Sequence, residues 1–246
     1  MARLTAAQRQ TMLDSPWFGK LPATPRDEAL DLATLRHLNE GEVVYAKDRP
    51  ADAWFGILSG AIRLGASGPD GRQGLLTFLA PGVWFGDTSL FDHLPRPHDA
   101  IAHCPTTLLA VSAAQFEALL ERYPVMYRHF IDLFCQRARL MFMALEAWTA
   151  LSLDERLAMH LVHLANGHGL RDGTDVAINL HLPQELLAQL LGVTRQRISQ
   201  ILHEWERLGR VHVRYGRVVL DGAWFASNPT GPQLQSAPLA RLPLAH

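Results

Sequence analysis

The segment that most constrains the fold is residues 186–209, LLAQLLGVTRQRISQILHEWERLG, in which a single glycine separates two apolar helical stripes. Gly192 permits a left-handed backbone angle, and the hydroxyl of Thr194 can cap the helix that follows it. We therefore expect two short helices joined by a tight turn. The side chains predicted to be buried are Leu186, Leu187, Leu190 and Leu191 in the first helix and Ile198, Ile201, Leu202, Trp205 and Leu208 in the second.

Polar side chains gather on the other face of the second helix, close to its N-terminus: Arg195, Gln196, Arg197, Ser199 and Gln200. A helix-turn-helix places this part of its second helix in the major groove of DNA. Arginine can donate two hydrogen bonds to guanine, and glutamine can form two with adenine. The pattern therefore predicts a surface that reads base edges. The alternative is a structural helical hairpin whose polar side only faces water.

The positive charge of the chain is concentrated around this segment. The formal net charge is only −1, yet six arginines stand against two glutamates between Leu190 and Leu220. The stretch RVHVRYGRVVLDG that follows alternates, turns at Tyr215-Gly216 and alternates again, which predicts a β-hairpin. Phosphate contacts are predicted for Thr194, Arg197 and Ser199 at the helix start and for Arg214 and Arg217 on the hairpin.

A long helix is predicted between Pro124 and Leu151, because this stretch contains no internal glycine or proline. Apolar residues follow one another along it at alternating steps of four and three, which is the pattern of a helix that pairs with a second helix. We expect this seam to form a homodimer, the alternative being burial within its own domain. The seam residues are Tyr127, Ile131, Phe134, Ala138, Met141, Leu145 and Trp148.

Short alternating runs broken by glycine occupy residues 35–111 and predict a small antiparallel barrel or roll. Within it, GPDGRQ at 68–73 predicts a hairpin turn. A short helix is expected around Thr5–Leu13, a proline-containing turn at Leu21–Pro25, and a helix after Ser112 that ends before Pro124. Further expectations are a helix at Leu153–Ala165 and a polar loop at 166–175.

Residues 182–222 resemble the winged helix-turn-helix of the CRP/FNR family of bacterial transcription regulators, and LAQLLGVTRQRISQIL is similar to that family's motif. The resemblance extends from about Leu35 to Gly222 through ILSGAIRL, FLAPGVWFGDTSLF and LDERLAMHLVHLA. It implies an α+β fold with an N-terminal antiparallel β-roll of the cyclic-nucleotide-binding type, a long dimerisation helix and a C-terminal winged helix-turn-helix. We expect these parts at 1–122, 123–151 and 152–225, followed by a disordered tail at 226–246.

The resemblance further implies a homodimer that binds near-palindromic double-stranded DNA, responds to a small effector held in the roll and works with RNA polymerase. Its base-reading positions carry over as Arg195, Gln196 and Gln200. The second of these positions is commonly Glu in the family and the third is commonly Arg. We therefore expect the DNA half-site that this protein prefers to differ from the family's best-known consensus. Activation or repression, the operator and the target genes are left open by the sequence.

Cyclic-nucleotide-binding members hold the ribose with a Glu after an FG turn and the cyclic phosphate with a later Arg-Ser pair. This chain has Asp87 after the turn and His98-Asp99 at the aligned pair. Because a carboxylate repels a phosphate and histidine is only partly charged at neutral pH, cyclic AMP is disfavoured. A cyclic-nucleotide pocket of altered design stays an alternative, since Arg96 lies close. The candidate pocket residues are Gly86, Asp87, Thr88, Arg96, His98 and Asp99.

The remaining cofactor classes depend on cysteine and histidine. The chain has only two cysteines, Cys104 and Cys135, and the N-terminal part before Cys104 has none, which disfavours an iron–sulfur cluster. So few cysteines also agree with a reducing cytoplasm. Haem stays open because His93, His98 and His103 recur every five residues, so a haem-based or other redox- or gas-sensing regulator is a second alternative. The effector is therefore unknown, and no metal site is predicted from His160, His163 and His168.

The other classes of protein lack their motifs in this sequence. We find no glycine-rich phosphate loop, no nucleophile elbow and no HExxH zinc motif, so an enzyme is not expected. A nucleotide-binding module or a dimeric scaffold would not need a helix with arginine and glutamine side chains after a glycine turn. The segment around Arg195 therefore argues against both of these classes. No signal peptide or membrane span is expected, because no apolar run reaches the necessary length.

Overall fold

The N-terminal half of the chain is built on two antiparallel sheets, as the glycine-broken alternation predicts. The structure, a computed structural model, describes residues 4–67, 73–228 and 240–241, and within these the chain forms two compact units that are described separately. The first unit contains residues 4–66 and Leu76–Arg139. The strands are β1 (Thr34–Leu38), β2 (Val43–Tyr45), β3 (Ala53–Ser59), β4 (Ile62–Ser67), β5 (Gln73–Leu79), β6 (Trp84–Phe85), β7 (Asp99–Ala102) and β8 (Thr106–Ser112).

The two sheets have the strand orders β1-β8-β3-β6 and β2-β7-β4-β5. Their alternating apolar side chains form one buried cluster, which includes Tyr45, Phe55, Ile62, Phe85 and Ala100. This arrangement confirms the predicted roll. The predicted hairpin turn at 68–73 falls almost wholly outside the described residues.

Helices cover the other side of the first sheet. They are α1 (Ala6–Leu13), a 3-10 helix at Phe18–Lys20, α2 (Ala23–Leu32), α3 (Thr88–Phe91), α4 (Ala113–Arg122) and α5 (Val125–Ala150). Capping boxes begin α1 at Thr5 and α4 at Ser112, which the sequence analysis did not predict. The predicted turn at Leu21–Pro25 is wrong, because Pro22 caps α2 and Pro25 lies in its first turn, where proline is tolerated.

An aromatic core joins these helices to the sheet. The rings of Trp54 and Trp84 stack with centroids 3.9 Å apart, and Phe18 stacks on Trp84 at 4.7 Å. Phe130 of α5 reaches the same core, 5.0 Å from Trp17, whose indole nitrogen donates to the carbonyl of His129 at 2.8 Å. The first part of α5 is thereby fixed to the β-roll.

The long helix α5 buries one side of its first half and exposes the predicted seam. Met126, Phe130 and Leu133 are buried. Phe134 is partly buried against the aromatic core, whereas the other predicted seam residues are exposed. The exposed seam residues are Tyr127, Ile131, Ala138, Met141, Leu145 and Trp148. Within the described residues, no helix has the length and hydropathy needed to cross a membrane.

Of the described residues, the second unit contains Ser67, 73–75, the rest of α5 from Leu140, and the C-terminal part of the chain at 151–228 and 240–241. Its four central strands are hydrogen-bonded in the order β11-β12-β10-β9, and a fifth strand, β13, pairs with β9. The elements after α5 are α6 (Leu153–His168), β9 (Gly169–Asp172), β10 (Asp175–Ile178), α7 (Gln184–Leu191), α8 (Arg195–Arg207), β11 (Val211–Arg214), β12 (Arg217–Leu220), α9 (Gly222–Ser227) and β13 (Ala240–Arg241).

Two expectations for this unit are corrected. The predicted loop at 166–175 is wrong, because α6 continues to His168 and the chain then forms the hairpin β9–β10, whose second strand pairs with β12. The predicted tail begins too early, since Ala226 and Ser227 belong to α9, which Asp221 caps by accepting from the backbone N–H of Trp224. Residues 229–239 and 242–246 of that tail lie outside the described residues.

Candidate nucleic-acid interface and effector pocket

The turn between α7 and α8 has the geometry that the glycine predicts. Gly192 ends α7 with φ 65° and ψ 34°, in the left-handed region. Its backbone N–H donates to the carbonyl of Gln189 at 3.4 Å. Thr194 then caps α8, because its hydroxyl oxygen accepts from the backbone N–H of Arg197 at 3.3 Å. Two helices joined by a tight turn are therefore present where the sequence places them.

The apolar faces of the two helices are buried, with one exception. Leu186, Leu187, Leu190 and Leu191 of α7 are buried, and so are Ile198, Ile201, Leu202 and Trp205 of α8. Leu208 was expected in the same stripe but is 53% exposed. The reason is that α8 ends at Arg207 and the chain turns away through Gly209, which has φ 67°.

The opposite face of α8 carries the predicted DNA-reading side chains. Arg195, Gln196, Arg197 and Gln200 are exposed, and Ser199 is partly exposed. The guanidinium of Arg197 donates to the amide oxygen of Gln200 at 3.4 Å, a contact that the sequence did not predict. This contact engages the amide oxygen of Gln200.

The predicted hairpin is present as β11–β12 and is attached to the helix pair. The backbone N–H of Val213 in the hairpin donates to the carboxylate of Glu206 in α8 at 2.9 Å. The backbone N–H of Leu182, which precedes α7, donates to the carbonyl of Gly216 in the hairpin at 2.6 Å. Tyr215, at the tip, has φ 50° and is 97% exposed. The hairpin is therefore attached to α8 and to the segment that precedes α7.

The two predicted phosphate-binding arginines of the wing lie opposite each other. Arg214 and Arg217 are paired across β11 and β12, and both are exposed. They border an open groove that Asp172 and Asp175 also line. Asp175 is partly engaged, because its carboxylate accepts from the backbone N–H of Gly222 at 3.1 Å.

In the first unit, the carboxylate of Asp87 is buried and paired. Asp87 is 1% exposed, and its two oxygens accept from Nη1 of Arg137 at 2.9 and 2.8 Å. Nη2 of Arg137 donates to the carbonyl of Trp84 at 2.8 Å. Sequence reasoning missed Arg137. The sequence does contain an indication of its position, because Arg137 lies four residues after Leu133 and so falls on the buried face of α5.

Arg96 is also buried, and its guanidinium is engaged by the roll itself. Nη1 donates to the carbonyl of Gly86 at 2.6 Å, while Nη2 donates to the carbonyl of Ala53 at 2.7 Å and to the carboxylate of Asp52 at 3.1 Å. The guanidinium lies 4.2 Å from the ring centroid of Tyr45. Gly86 has φ 83°, and a Cβ there would lie 2.8 Å from Nη1 of Arg96, so this arrangement requires glycine.

The remaining predicted pocket residues offer no free positive charge. The ring of His98 stacks on Tyr45 with centroids 6.0 Å apart, and burial lowers the pKa of His98, so its imidazole is neutral at pH 7. The carboxylate of Asp99 accepts from the backbone N–H of Lys47 at 2.7 Å. Thr88 is exposed at the start of α3. The arginines closest to these residues, Arg96 and Arg137, are both paired with aspartates.

The candidate haem and metal ligands lie in different surroundings. His93 is exposed on a loop, His98 packs on Tyr45, and the ring of His103 packs edge-on against Phe78 at 4.9 Å. In residues 4–67 and 73–228, no group of three or more His, Cys, Asp or Glu side chains is placed to bind a metal ion. Cys104 is partly buried and Cys135 is exposed, and both thiols are free.

Two family models match the chain in the same order as its two units. A cyclic nucleotide-binding domain matches residues 35–123, and a Crp-like helix-turn-helix domain matches residues 155–223. The fold and the exposed face of α8 thus define a winged helix-turn-helix DNA-binding protein with an N-terminal domain of the cyclic-nucleotide-binding type. The chain belongs to the CRP/FNR family of transcription regulators, whose members bind DNA as dimers.

Individual relatives agree with this assignment. The cyclic AMP receptor protein of Thermus thermophilus is 28% identical over 207 residues, covering 84% of this chain and 93% of that protein. A CRP-like cAMP-activated global regulator of Mycobacterium tuberculosis is 27% identical over 180 residues, covering 73% of this chain and 80% of that protein. The solved structure of the c-di-GMP-responsive regulator CLP of Xanthomonas campestris shares the fold, with a TM-score of 0.68 at 19% identity, over 82% of this chain and all of that one.

The buried ion pair generates a stability prediction. Arg137→Gln leaves the carboxylate of Asp87 buried without a counter-charge, which costs about 3–5 kcal/mol of unfolding free energy. Asp87→Asn combined with Arg137→Gln is expected to recover part of that loss, because no charge is then left unpaired. Urea denaturation of the wild type, Arg137→Gln and the double variant measures their free energies of unfolding. An exposed pair serves as the control, since Arg9→Gln removes the partner of Asp31 at the surface. Equal losses for the two single variants would contradict the prediction.

A pH dependence follows from the histidines of α6. Burial, with added repulsion from His163 and Arg156, lowers the pKa of His160 from 6.5 to about 4. The folded chain therefore keeps His160 neutral while the unfolded chain takes up a proton below about pH 6.5, so stability is lost as the pH falls from 6.5 to 4. This residue contributes a loss on the order of 3 kcal/mol. Urea denaturation between pH 7 and 4 measures it.

The control for this prediction compares two histidines of the same unit. His160→Gln is expected to flatten the decline of the unfolding free energy, whereas His203→Gln, on the exposed surface of α8, is expected to keep it. Identical pH profiles for the wild type and His160→Gln would contradict the assignment of the titrating group.

Proposed function

We propose that this protein is a homodimeric transcription regulator that reads a near-palindromic DNA site with the N-terminal turns of α8. Arg195, Gln196 and Gln200 bind base edges in the major groove. Thr194, Arg197 and Ser199 bind phosphate oxygens beside them. Arg214 and Arg217 add phosphate contacts from the hairpin.

The observation that carries the proposal is the division of α8 into two faces. Its buried face packs on α7. Its other face extends into solvent directly after the capped start of the helix, and it carries Arg195, Gln196, Arg197 and Gln200. The four N-terminal N–H groups of a helix favour phosphate nearby, and the exposed arginines add positive charge. A helix face that only met water would not need these groups at one end.

Dimerisation through α5 is supported by the exposure of its seam. Met141 is 73% exposed and Leu145 is 63% exposed, although both follow the spacing of a pairing helix. Apolar side chains in such a continuous row are stabilised when a second copy covers them. Two copies paired in this way can present their α8 helices about 34 Å apart, one turn of DNA.

The proposed effector is a molecule other than cyclic AMP. Both arginines of this region are held in ion pairs, since Arg137 pairs with Asp87 and Arg96 pairs with Asp52. A cyclic phosphate entering beside His98 and Asp99 would meet a neutral imidazole and a carboxylate. It would also have to break contacts of Arg96 that are already satisfied, which opposes binding.

Control by a cyclic nucleotide is the second candidate function. It is favoured by the match of residues 35–123 to the cyclic nucleotide-binding domain and by the cAMP-activated relatives. In this case Arg96 must leave Asp52 and turn toward the ligand. The two candidates share one DNA-reading surface and differ only in what the roll holds.

The effector proposal is tested with DNA selected from a random-sequence pool by the wild-type protein. We expect fluorescence anisotropy to show the same affinity for this DNA with and without cyclic AMP. Arg96→Gln is included because a role in phosphate binding would make any cyclic AMP response depend on it. Sequence-specific binding that requires cyclic AMP would establish the second candidate instead.

The base-reading assignment predicts the effect of one arginine. Arg195→Ala is expected to cost about 1–3 kcal/mol of binding free energy on the selected DNA and to relax the preference at one base pair of each half-site. Arg207→Ala, an exposed arginine in the last turn of the same helix, is the matched control and is expected to change neither. Anisotropy titrations on single-substitution DNA variants give both quantities. An equal loss of binding free energy on all DNA sequences would indicate that Arg195 binds phosphate rather than a base.

The dimer seam predicts the effect of a buried charge. Met141→Glu places a carboxylate in the seam, where it has no partner, and is expected to weaken dimerisation. Gln136→Glu adds the same charge to an exposed position on the opposite side of the heptad and is expected to leave the dimer intact. Light scattering over a dilution series measures the mass of each protein. A Met141→Glu variant that stays as dimeric as the wild type would remove this seam from the interface.

A further inference from the structure

The indole of Trp148 contacts the turn of the helix-turn-helix. Trp148 lies near the C-terminal end of α5 and is 53% exposed. A Cβ added to Gly192 would lie 3.3 Å from Cη2 of this indole, so the ring edge rests on the backbone of the turn between α7 and α8. All of these atoms belong to the second unit.

A second element holds the same ring. The guanidinium of Arg156, in the first turns of α6, lies 4.4 Å from the centroid of Trp148. A cation over the face of an indole is attracted by the ring's quadrupole, and tryptophan is the strongest partner for this interaction. The indole is therefore fixed on its face by α6 and at its edge by the turn that precedes the recognition helix.

We infer that Trp148 is a positioning residue, which sets the angle between the end of α5 and the helix-turn-helix. The inference rests on the proposed function, because it concerns how the two recognition helices of a dimer reach their half-sites. Trp148 occupies the last seam position of α5 and also contacts the turn at Gly192. A change in the pairing of two α5 helices near this residue therefore moves a side chain that is already in contact with the DNA-reading motif.

The geometry suits this role better than a role in core packing. Core tryptophans of this chain, such as Trp54 and Trp84, are fully buried, whereas half of Trp148 is accessible. Two of its contacts are made to the backbone of a glycine and to one guanidinium. Gly192 must remain glycine for two reasons, since its φ is positive and a side chain there would meet the indole.

The test separates the spacing of the two half-sites from the reading of each one. The half-site sequence is taken from the DNA selected by the wild-type protein. Three kinds of duplex are then compared by anisotropy: one half-site alone, the selected palindrome, and palindromes with one to four base pairs added or removed at the centre. Light scattering confirms that every variant is a dimer at the concentrations used.

The variants divide the contact into its parts. Trp148→Ala removes the ring, Trp148→Phe keeps a smaller ring, and Arg156→Gln removes the cation. Phe142→Ala is the matched control, because Phe142 is an aromatic residue of α5 in the same unit that is 65% exposed.

We expect Trp148→Ala to bind the single half-site as the wild type does and to bind the selected palindrome about tenfold more weakly. Its preference for the selected spacing over the altered ones is expected to disappear. Trp148→Phe and Arg156→Gln should give smaller losses in the same direction, and Phe142→Ala should keep the wild-type spacing profile.

Two results would overturn the inference while leaving the proposed function in place. One is a Trp148→Ala protein that keeps the full spacing preference. The other is a Trp148→Ala protein whose affinity falls equally for the half-site and the palindrome, because that result indicates only a structural role. Should Trp148→Ala fail to fold, the spacing profiles of Trp148→Phe and Arg156→Gln decide in the same way. A wild-type protein without sequence preference on any DNA would instead overturn the proposed function, and the inference with it.

Discussion

The buried carboxylate of Asp87 needs a counter-charge, and α5 supplies it. A carboxylate that is 1% exposed costs several kcal/mol unless it is paired, and Arg137 pairs with both of its oxygens. The same helix buries Met126, Phe130 and Leu133 in the aromatic core, so Arg137 reaches Asp87 at the end of an apolar row. The other side of α5 is thereby turned outward, where its seam is available to a second copy. One helix thus neutralises the roll's buried charge and presents the surface on which the proposed dimer depends.

The chemistry of the roll and that of the DNA-reading motif follow opposite rules. In the roll, Arg96 is buried and its two terminal nitrogens donate to two carbonyls and a carboxylate, whereas its Nε and Nδ1 of His98 are buried without a hydrogen-bond partner. Burial also lowers the pKa of His98. On α8, positive groups are exposed beside a capped helix start. The pairing of Arg96 and Arg137 with aspartates supports the proposal that the effector is a molecule other than cyclic AMP. Exposure on α8 argues for a partner that brings many negative charges at fixed spacing, as DNA does.

Much of this architecture could be predicted from the sequence because local chemistry decides it. Gly192 and Thr194 fix the turn and cap of the helix pair, and the step pattern after Pro124 fixes the long helix. The hairpin β9–β10 was missed because each of its strands has only four residues, and because β12 pairs with β10 only in the folded unit. Arg137 was missed for a similar reason: its spacing places it on the buried face of α5, yet its need for a partner becomes visible only when Asp87 is seen to be buried. The contact of Gln200 with Arg197 likewise depends on side-chain conformation rather than on spacing.

The N-terminal face of α8 is proposed to read bases in the major groove of two half-sites. The most direct test is guanine methylation interference on the selected DNA, because a methyl group on guanine N7 blocks an arginine that binds that edge. Methylation of a guanine in each half-site is expected to prevent binding, with the two positions about one helical turn apart. Arg195→Ala is expected to lose this sensitivity at those guanines. Binding that is indifferent to N7 methylation in wild type and variant alike would contradict base reading by Arg195.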